Sequence, residues 1–281
     1  MTNENKMTTY DFKDGKGLVP AHQHSNGGGW VADTATVDDT AHIGPDAKVY
    51  GNARVYDKAR VYGNGKAQVS GNAILSGNAI LSGNAIVSGN ALVSANAQIY
   101  DKALVSGYAH VFGDAKVYGN ARVYDIAKVY GNAQVCGDAL VYANAIVFGD
   151  AKVSSNQHVS FSIVKTDLSL PENMKESIEA QCNLTIFNDY VYCYKRVNDN
   201  LSSEYDNSFI YPVSGLVEAE EVEDNKNVSC GKGLHFSHLS YYARNAKSDS
   251  KILYAKVHVD DIITCLQGKI RVRKAEILGV V

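Results

Sequence analysis

The sequence lacks any long apolar run. Nowhere do about eighteen apolar residues follow one another, so no segment is expected to span a bilayer as a helix. The opening stretch, MTNENKMTTYDFKDGKG, is polar and lacks the apolar centre of a signal peptide. Excess charge is missing too: 27 Lys and Arg stand against 30 Asp and Glu, a net charge of −3 over 281 residues. A mildly acidic chain offers no electrostatic attraction to nucleic acid or to an anionic membrane, so neither is expected as a partner. Cysteine is sparse, at Cys136, Cys182, Cys193, Cys230 and Cys265, and no two have the close spacing of zinc ligands. An odd, scattered set without an export signal is expected to be reduced thiols in a cytoplasm. The length suits two domains.

What is present is a repeat. VYGNAR, VYDKAR, LSGNAI, LSGNAI, VSGNAL, VYGNAR and VYGNAQ recur with a period of six. An aliphatic residue falls at Val31, Val37, Ile43, Val49, Val55 and Val61. After a slip of two residues around Gly65 and Lys66 it resumes at Val69 and continues every sixth residue to Val159. Alanine precedes most of these by two, as at Ala53, Ala73 and Ala151. Alternation in a short strand sends the alanine and the aliphatic inward and the residue between them outward. Gly-Asn or Gly-Asp then supplies a turn, since both tolerate positive φ. Three hexapeptides close one triangular coil, so the repeat predicts about seven coils, stacked at ~4.8 Å to a prism ~34 Å long.

This pattern resembles the left-handed β-helix hexapeptide-repeat family. The resemblance implies the left hand, which runs against the usual right-handed crossover, and it suggests a homotrimer. Many members are acyltransferases with a long loop and a catalytic histidine. Here the insertion is two residues long and no histidine lies near it. His42, His110 and His158 are too far apart along the axis for the three-histidine metal site found on this helix. Ice binding needs flat arrays of threonine, and the outward positions carry Ser, Tyr, Lys and Arg instead. No cofactor, metal or catalytic residue is expected.

Grouped by eighteen residues, the outward positions form three faces. One carries Ile86, Leu104, Leu140, Tyr124 and Tyr142; the next Ile74, Leu92, Ile146, Phe112, Tyr130 and Phe148. The third carries Ile80, Gln98, Lys116, Gln134 and Lys152. An exposed apolar strip marks an interface. Ile74, Ile86, Leu92, Leu104, Phe112, Tyr130, Leu140 and Ile146 are therefore expected at a trimer interface. The competing reading is plain β-propensity.

Residues 1–30 read as an N-terminal cap, with His22-Gln-His24-Ser-Asn-Gly-Gly-Gly-Trp30 as a loop that lays Trp30 over the core or, alternatively, holds a metal or anion. Residues 31–164 are the β-helix. Residues 165–184 are a linker or capping helix that starts at Ser169-Leu170-Pro171-Glu172. Residues 185–281 lose the six-residue period and read as α+β. Strands are expected at TIFNDYVYCYKRV, GLHFS, KILYAKVHV and KIRVRKAEILGVV, and a helix over Leu239 to Lys247. The fold class is thus mainly β, a left-handed parallel β-helix followed by a small α+β domain.

Cys230-Gly-Lys-Gly-Leu-His-Phe236, with KILYAKVHVDDII and KIRVRKAEIL, resembles an uncharacterised domain of phage and bacterial proteins, which implies a phage or prophage origin and a bacterial cytoplasm. GKGLHFS also resembles the Gly-x-Gly-aliphatic-Tyr-Phe segment of ADP-ribosyltransferases. His235 stands in the tyrosine's slot, and Lys and Arg lie where the catalytic Glu belongs. A ligand site is expected at His235, His238, Arg271 and Arg273, with both arginines on one strand face suited to phosphate; the competing reading packs His235 in the core and leaves the arginines solvated on an edge strand. Three functions follow. The first is a non-enzymatic oligomeric scaffold displaying a binding domain. The second is a phage counter-defence protein that sequesters a nucleotide-type signal, and the third a divergent acyl- or ADP-ribosyl-type transferase.

Overall fold

The structure, a computed structural model, describes residues 8–63, 66–168, 171–226, 228, 230–243 and 250–281. Each hexapeptide makes a strand of two or three residues, as in Lys48–Val49, Arg54–Val55 and Arg60–Tyr62. Every strand pairs in parallel with the third one along, so Ile74, Leu92, His110, Lys128 and Ile146 form one ladder. Three such ladders make a parallel β-solenoid of about seven turns. Near residues 64 and 65, which lie outside the described residues, the register lengthens: Lys48 pairs with Gln68, Arg54 with Ile74 and Arg60 with Ile80. The slip is absorbed in one coil, and the inward row continues in phase.

From Ala41 to Val153 the alanine and aliphatic rows are buried without exception among the described residues, most with no exposure at all. The corners differ in detail from the expectation. Only the first corner residue is left-handed, as at Gly89 (φ 68°), and the following asparagine is not. A Cβ on Gly89 would stand 2.9 Å from the nitrogen of Gly107 in the next coil. Where aspartate takes this position it turns the crowding into a bond. Asp57, Asp101 and Asp125 accept from the backbone N–H of Gly77, Gly119 and Ala143 at 2.9, 3.1 and 3.0 Å. The asparagines are ladder residues instead: Asn78 donates to Asn96, and Asn96 to Asp114, each at 3.0 Å.

The outward rows are less uniform than the grouping by faces suggests. Ile86 and Leu104 are neighbours, but Arg122 separates them from Leu140. Ile74 and Leu92 are neighbours, but His110 and Lys128 separate them from Ile146. Phe112, Tyr130 and Phe148 stack along one corner at 4.8 and 5.2 Å between ring centres. The third face, which carries Gln98, Lys116, Gln134 and Lys152, also bears a stack, Tyr100 on Tyr118 at 4.9 Å.

At the N-terminal end the chain runs antiparallel. Thr9–Asp11 pairs with Leu18–Gln23, which pairs with Trp30–Ala32. Trp30 does not cover the core. It lies on an outer face, stacked on Tyr10 at 4.4 Å, because its neighbour Val31 takes the inward position. The exposed edge of the strand His42–Ile43 is closed by the glycine loop: Gly29 N–H donates to the Ile43 carbonyl at 2.8 Å, and Ile43 N–H to that of Asn26 at 3.0 Å. His24 is buried here, and His22 is turned outward to Asp33 at 2.9 Å.

The chain divides into two compact units, the first running to Ser155 with Ile163–Asp167, the second comprising Asn156–Ser162 and Leu168–Val281. The second unit is an antiparallel sheet. Its order is Gly215–Glu218, Lys274–Val280, Ser250–His258, Tyr190–Asn198, Leu234–Ser237, Lys269–Val272, Ile262–Leu266. Ile186–Phe187 forms a hairpin with the start of Tyr190–Asn198 through Asn188 and Asp189, both at positive φ. The strands Gly215–Glu218 and Ile262–Leu266 lie outside the four strands expected from the sequence. The expected single strand KIRVRKAEILGVV is two, broken at Arg273, whose N–H donates to the Asp261 carbonyl at 2.9 Å. The first half pairs with Leu234–Ser237 and the second with Ser250–His258, so the chain changes place in the sheet at that residue.

The helix Met174–Cys182 ends at Asn183 in a left-handed cap. The start expected at Ser169 and Leu170 lies outside the described residues. The helix Leu239–Ala243 begins as expected, and the stretch from residue 244 to Lys247 also lies outside them. Cys182 and Cys265 form a disulfide across 83 residues, which corrects the expectation that all five thiols are reduced. It ties the helix to the strand Ile262–Leu266, a proximity that scattered spacings in sequence do not reveal. Among the described residues no helix is long and apolar enough to cross a membrane.

Candidate functional site

The long strand Tyr190–Asn198 alternates inward and outward, and its inward row reads Val191, Cys193, Lys195, Val197. Three of these belong in an apolar core; the fourth is a lysine only 5% exposed. Its neighbour Leu234–Ser237 joins it through one residue pair, Tyr194 with Ser237. Beyond that pair Lys195 Nζ lies 3.4 Å from the His235 carbonyl oxygen and 5.1 Å from the centre of the Tyr211 ring. Both residues line a cavity of about 480 Å³, with Tyr211, Tyr241, Tyr242, Cys230, Lys232 and Lys269 among the other walls. That volume is in the range of small-molecule sites.

The charges of the cavity resolve into pairs and a remainder of Lys195, Lys269, Asp206 and Glu220. Arg196 Nε donates to both Glu204 carboxylate oxygens at 3.0 Å, nearly buried, and Lys232 pairs with Glu221 at the exposed rim. Lys195 and Lys269 have no carboxylate within 4 Å among the described residues. Lys269 Nζ sits 3.1 Å from the Cys230 sulfur. Burial pulls the Lys195 amine down to about 8, with the Lys269 charge adding to it and Glu204 opposing. Burial likewise depresses His235 to about 4, helped by Lys195, Lys269 and Arg271. The His235 Nε2 atom is buried and has no hydrogen-bond partner among the described residues. Tyr211 and Tyr242 are pushed up by burial and remain hydroxyl donors. Around Lys195 the lining therefore offers amines, hydroxyls and an aromatic surface, with the Glu204 carboxylate held by Arg196 and those of Asp206, Glu220 and Glu221 on the other walls.

Of the four residues expected to bind a ligand, His235 lines this cavity, and His238, Arg271 and Arg273 do not. Arg271 stands opposite His235 in the ladder but is 1% exposed, covered by the segment before Cys230. It donates to the carbonyls of Val228 at 2.9 Å and Asn225 at 2.8 Å. A Cβ on Gly231 would collide with its guanidinium, so glycine lets the loop close over it. Arg271 thus shapes the cavity by holding one of its walls. Arg273 stands at the strand break, exposed and paired with Asp224 at 2.8 Å. His238 Nδ1 is exposed and bonds within the turn to Ser240. Lys195, the most buried charge of the cavity, escaped the sequence reading. Its signal was present: a lysine in the third place of an otherwise apolar alternating row.

Among the described residues no three His, Cys, Asp or Glu side chains gather as metal ligands, including around His22 and His24. The family model described as YdcK beta solenoid repeat matches residues 47–63, 67–83 and 133–149. These stretches all lie in the solenoid. The repeats are similar to that β-solenoid family. No curated protein and no solved structure matches the chain.

Proposed function

We propose that this protein is a non-enzymatic scaffold in which a self-associating β-solenoid carries a small-ligand binding domain. We place the ligand site in the Lys195–His235–Lys269 cavity. The observation that carries this reading is the buried lysine in an apolar row, opening on a cavity of ligand size. An uncompensated buried ammonium costs several kcal/mol, and a bound anion would offset that cost. Tyrosines supply flat surfaces for a ring, and the orphan His235 Nε2 supplies a specific hydrogen bond. A nucleotide-type ligand, a ring bearing phosphate, answers all three.

The test is a thermal-shift and calorimetric titration of mononucleotides, cyclic dinucleotides and ADP-ribose. The full chain is compared with the Lys269→Met and Tyr211→Leu variants, alongside mass spectrometry of the protein as purified. Micromolar binding that falls at least tenfold in both variants is the expected outcome. Binding unaffected by either substitution would move the site elsewhere. Self-association is placed at the coils where Ile74 meets Leu92 and Ile86 meets Leu104, the longest uncharged stretch of those two faces.

A further inference from the structure

The cavity holds a second chemical possibility besides anion binding. A lysine that lines a cavity, is shielded from bulk water and lacks a carboxylate partner is the arrangement in which an amine acts as a nucleophile. We propose that Lys195 captures a carbonyl group, so that the ligand class of this cavity is a small anionic aldehyde or ketone held as an imine. The inference rests on the cavity being the ligand site, and among ring compounds that bear phosphate it singles out those with a free aldehyde or ketone in place of a plain nucleotide.

Three features of the geometry support it. Among the described residues Lys195 Nζ is tied only to the His235 carbonyl oxygen at 3.4 Å and to the face of Tyr211, with Glu204 already engaged by Arg196. No ion pair therefore has to break before the nitrogen lone pair is used. Lys269, on the neighbouring wall, keeps its charge and suits the anionic group of the ligand. Tyr211 and Tyr242 are buried hydroxyls that can donate to the carbonyl oxygen. The depressed basicity of Lys195 adds to this: lowering an amine from 10.5 to about 8 raises its neutral fraction near pH 7 by roughly 300-fold.

The step balances without a redox partner. The neutral amine attacks the carbonyl carbon, the carbon–nitrogen bond forms, and the π electrons move to oxygen. A proton passes from nitrogen to that oxygen and gives the carbinolamine. The nitrogen lone pair then expels the oxygen as hydroxide, which takes the proton left on the iminium nitrogen and leaves as water. Amine and carbonyl have become imine and water, and the reverse reaction releases the ligand unchanged. The domain remains a binding module, with a covalent and reversible hold.

The test uses the full chain and two probes of equal shape, pyridoxal 5′-phosphate, which has an aldehyde, and pyridoxine 5′-phosphate, which has none. After brief exposure to micromolar pyridoxal 5′-phosphate at pH 7.5, borohydride fixes any imine, and peptide mapping locates it. The expected result is labelling of Lys195 at least tenfold above any other lysine. That label is suppressed by excess pyridoxine 5′-phosphate and lost in Lys195→Arg. Label spread over exposed lysines such as Lys58 and Lys102, with Lys195 among the least modified, would overturn the inference. If pyridoxine 5′-phosphate still bound calorimetrically in that case, the anion site would stand and only the covalent step would fall. If neither probe bound, both would fall. Mapping the unmodified sequence keeps the test decisive even if Lys195→Arg folds poorly.

Discussion

A single side chain in this protein is read by the row it occupies. Val111 has no exposure, and Lys116, five residues on, stands in an outward row between Gln98 and Gln134. Val111→Asp places a charge in a tube with no partner and should cost about 3 kcal/mol or more. Lys116→Ala should cost under about 0.5 kcal/mol. Thermal melts followed by circular dichroism check this, and equal midpoints would contradict the register. His235 tests burial in another way. Its folded pKa is about 4 against an ordinary 6.5, so between those values the unfolded chain binds more protons than the folded one. Stability therefore rises with pH across that window and is lost as pH falls from about 6.5 towards 4, by on the order of 2 kcal/mol. Denaturant titrations at pH 7 and pH 4.5 should show the loss in the native sequence and a flatter dependence in His235→Gln.

Whole elements depend on contacts that bridge segments remote in sequence. The strand Lys269–Val272 is tied to the loop that precedes Cys230 by Arg271, whose two carbonyl acceptors lie more than forty residues away. Each bond from a charged donor is worth roughly 1.5–3 kcal/mol. Arg271→Lys keeps the charge but not the planar fork. It should raise hydrogen exchange across residues 223–233 at least tenfold while the solenoid strands keep their protection. Unchanged exchange in that loop would show that Arg271 does not hold it. The disulfide Cys182–Cys265 acts at the same scale, joining the helix Met174–Cys182 to an edge strand and restricting the unfolded chain over a long loop.

For the molecule as a whole, assembly turns on contiguous apolar area. Singly scattered apolar residues on a surface are ordinary, but neighbouring ones mark an interface. Here the neighbours are Ile74 with Leu92 and Ile86 with Leu104, bounded by His110 and Arg122, and further along Ile146 with Ile163. Light scattering at micromolar concentration should give three times the 30.4 kDa chain mass. The double variant Leu92→Glu, Leu104→Glu should give a single chain with its β signal intact. A native chain at monomer mass would rule out the trimer.

The repeat was legible because it is local. A period of six with alanine two places before each aliphatic states which residues point inward, and one coil says the same as the next. Turn glycines and the solenoid's length could be read in the same way. The second unit has no period, and its strands take their partners from far along the chain. Alternation alone put Arg271 and Arg273 on one face, until the sheet turned at Arg273 and separated them. The cavity, the Arg196–Glu204 pair and the disulfide all join residues whose distance in sequence carries no signal. The apolar row marks Lys195 in the sequence, but only the tertiary fold decided that it lines a cavity, because the other walls come from segments remote along the chain. The chain's own order therefore determined the scaffold, and long-range packing determined the site.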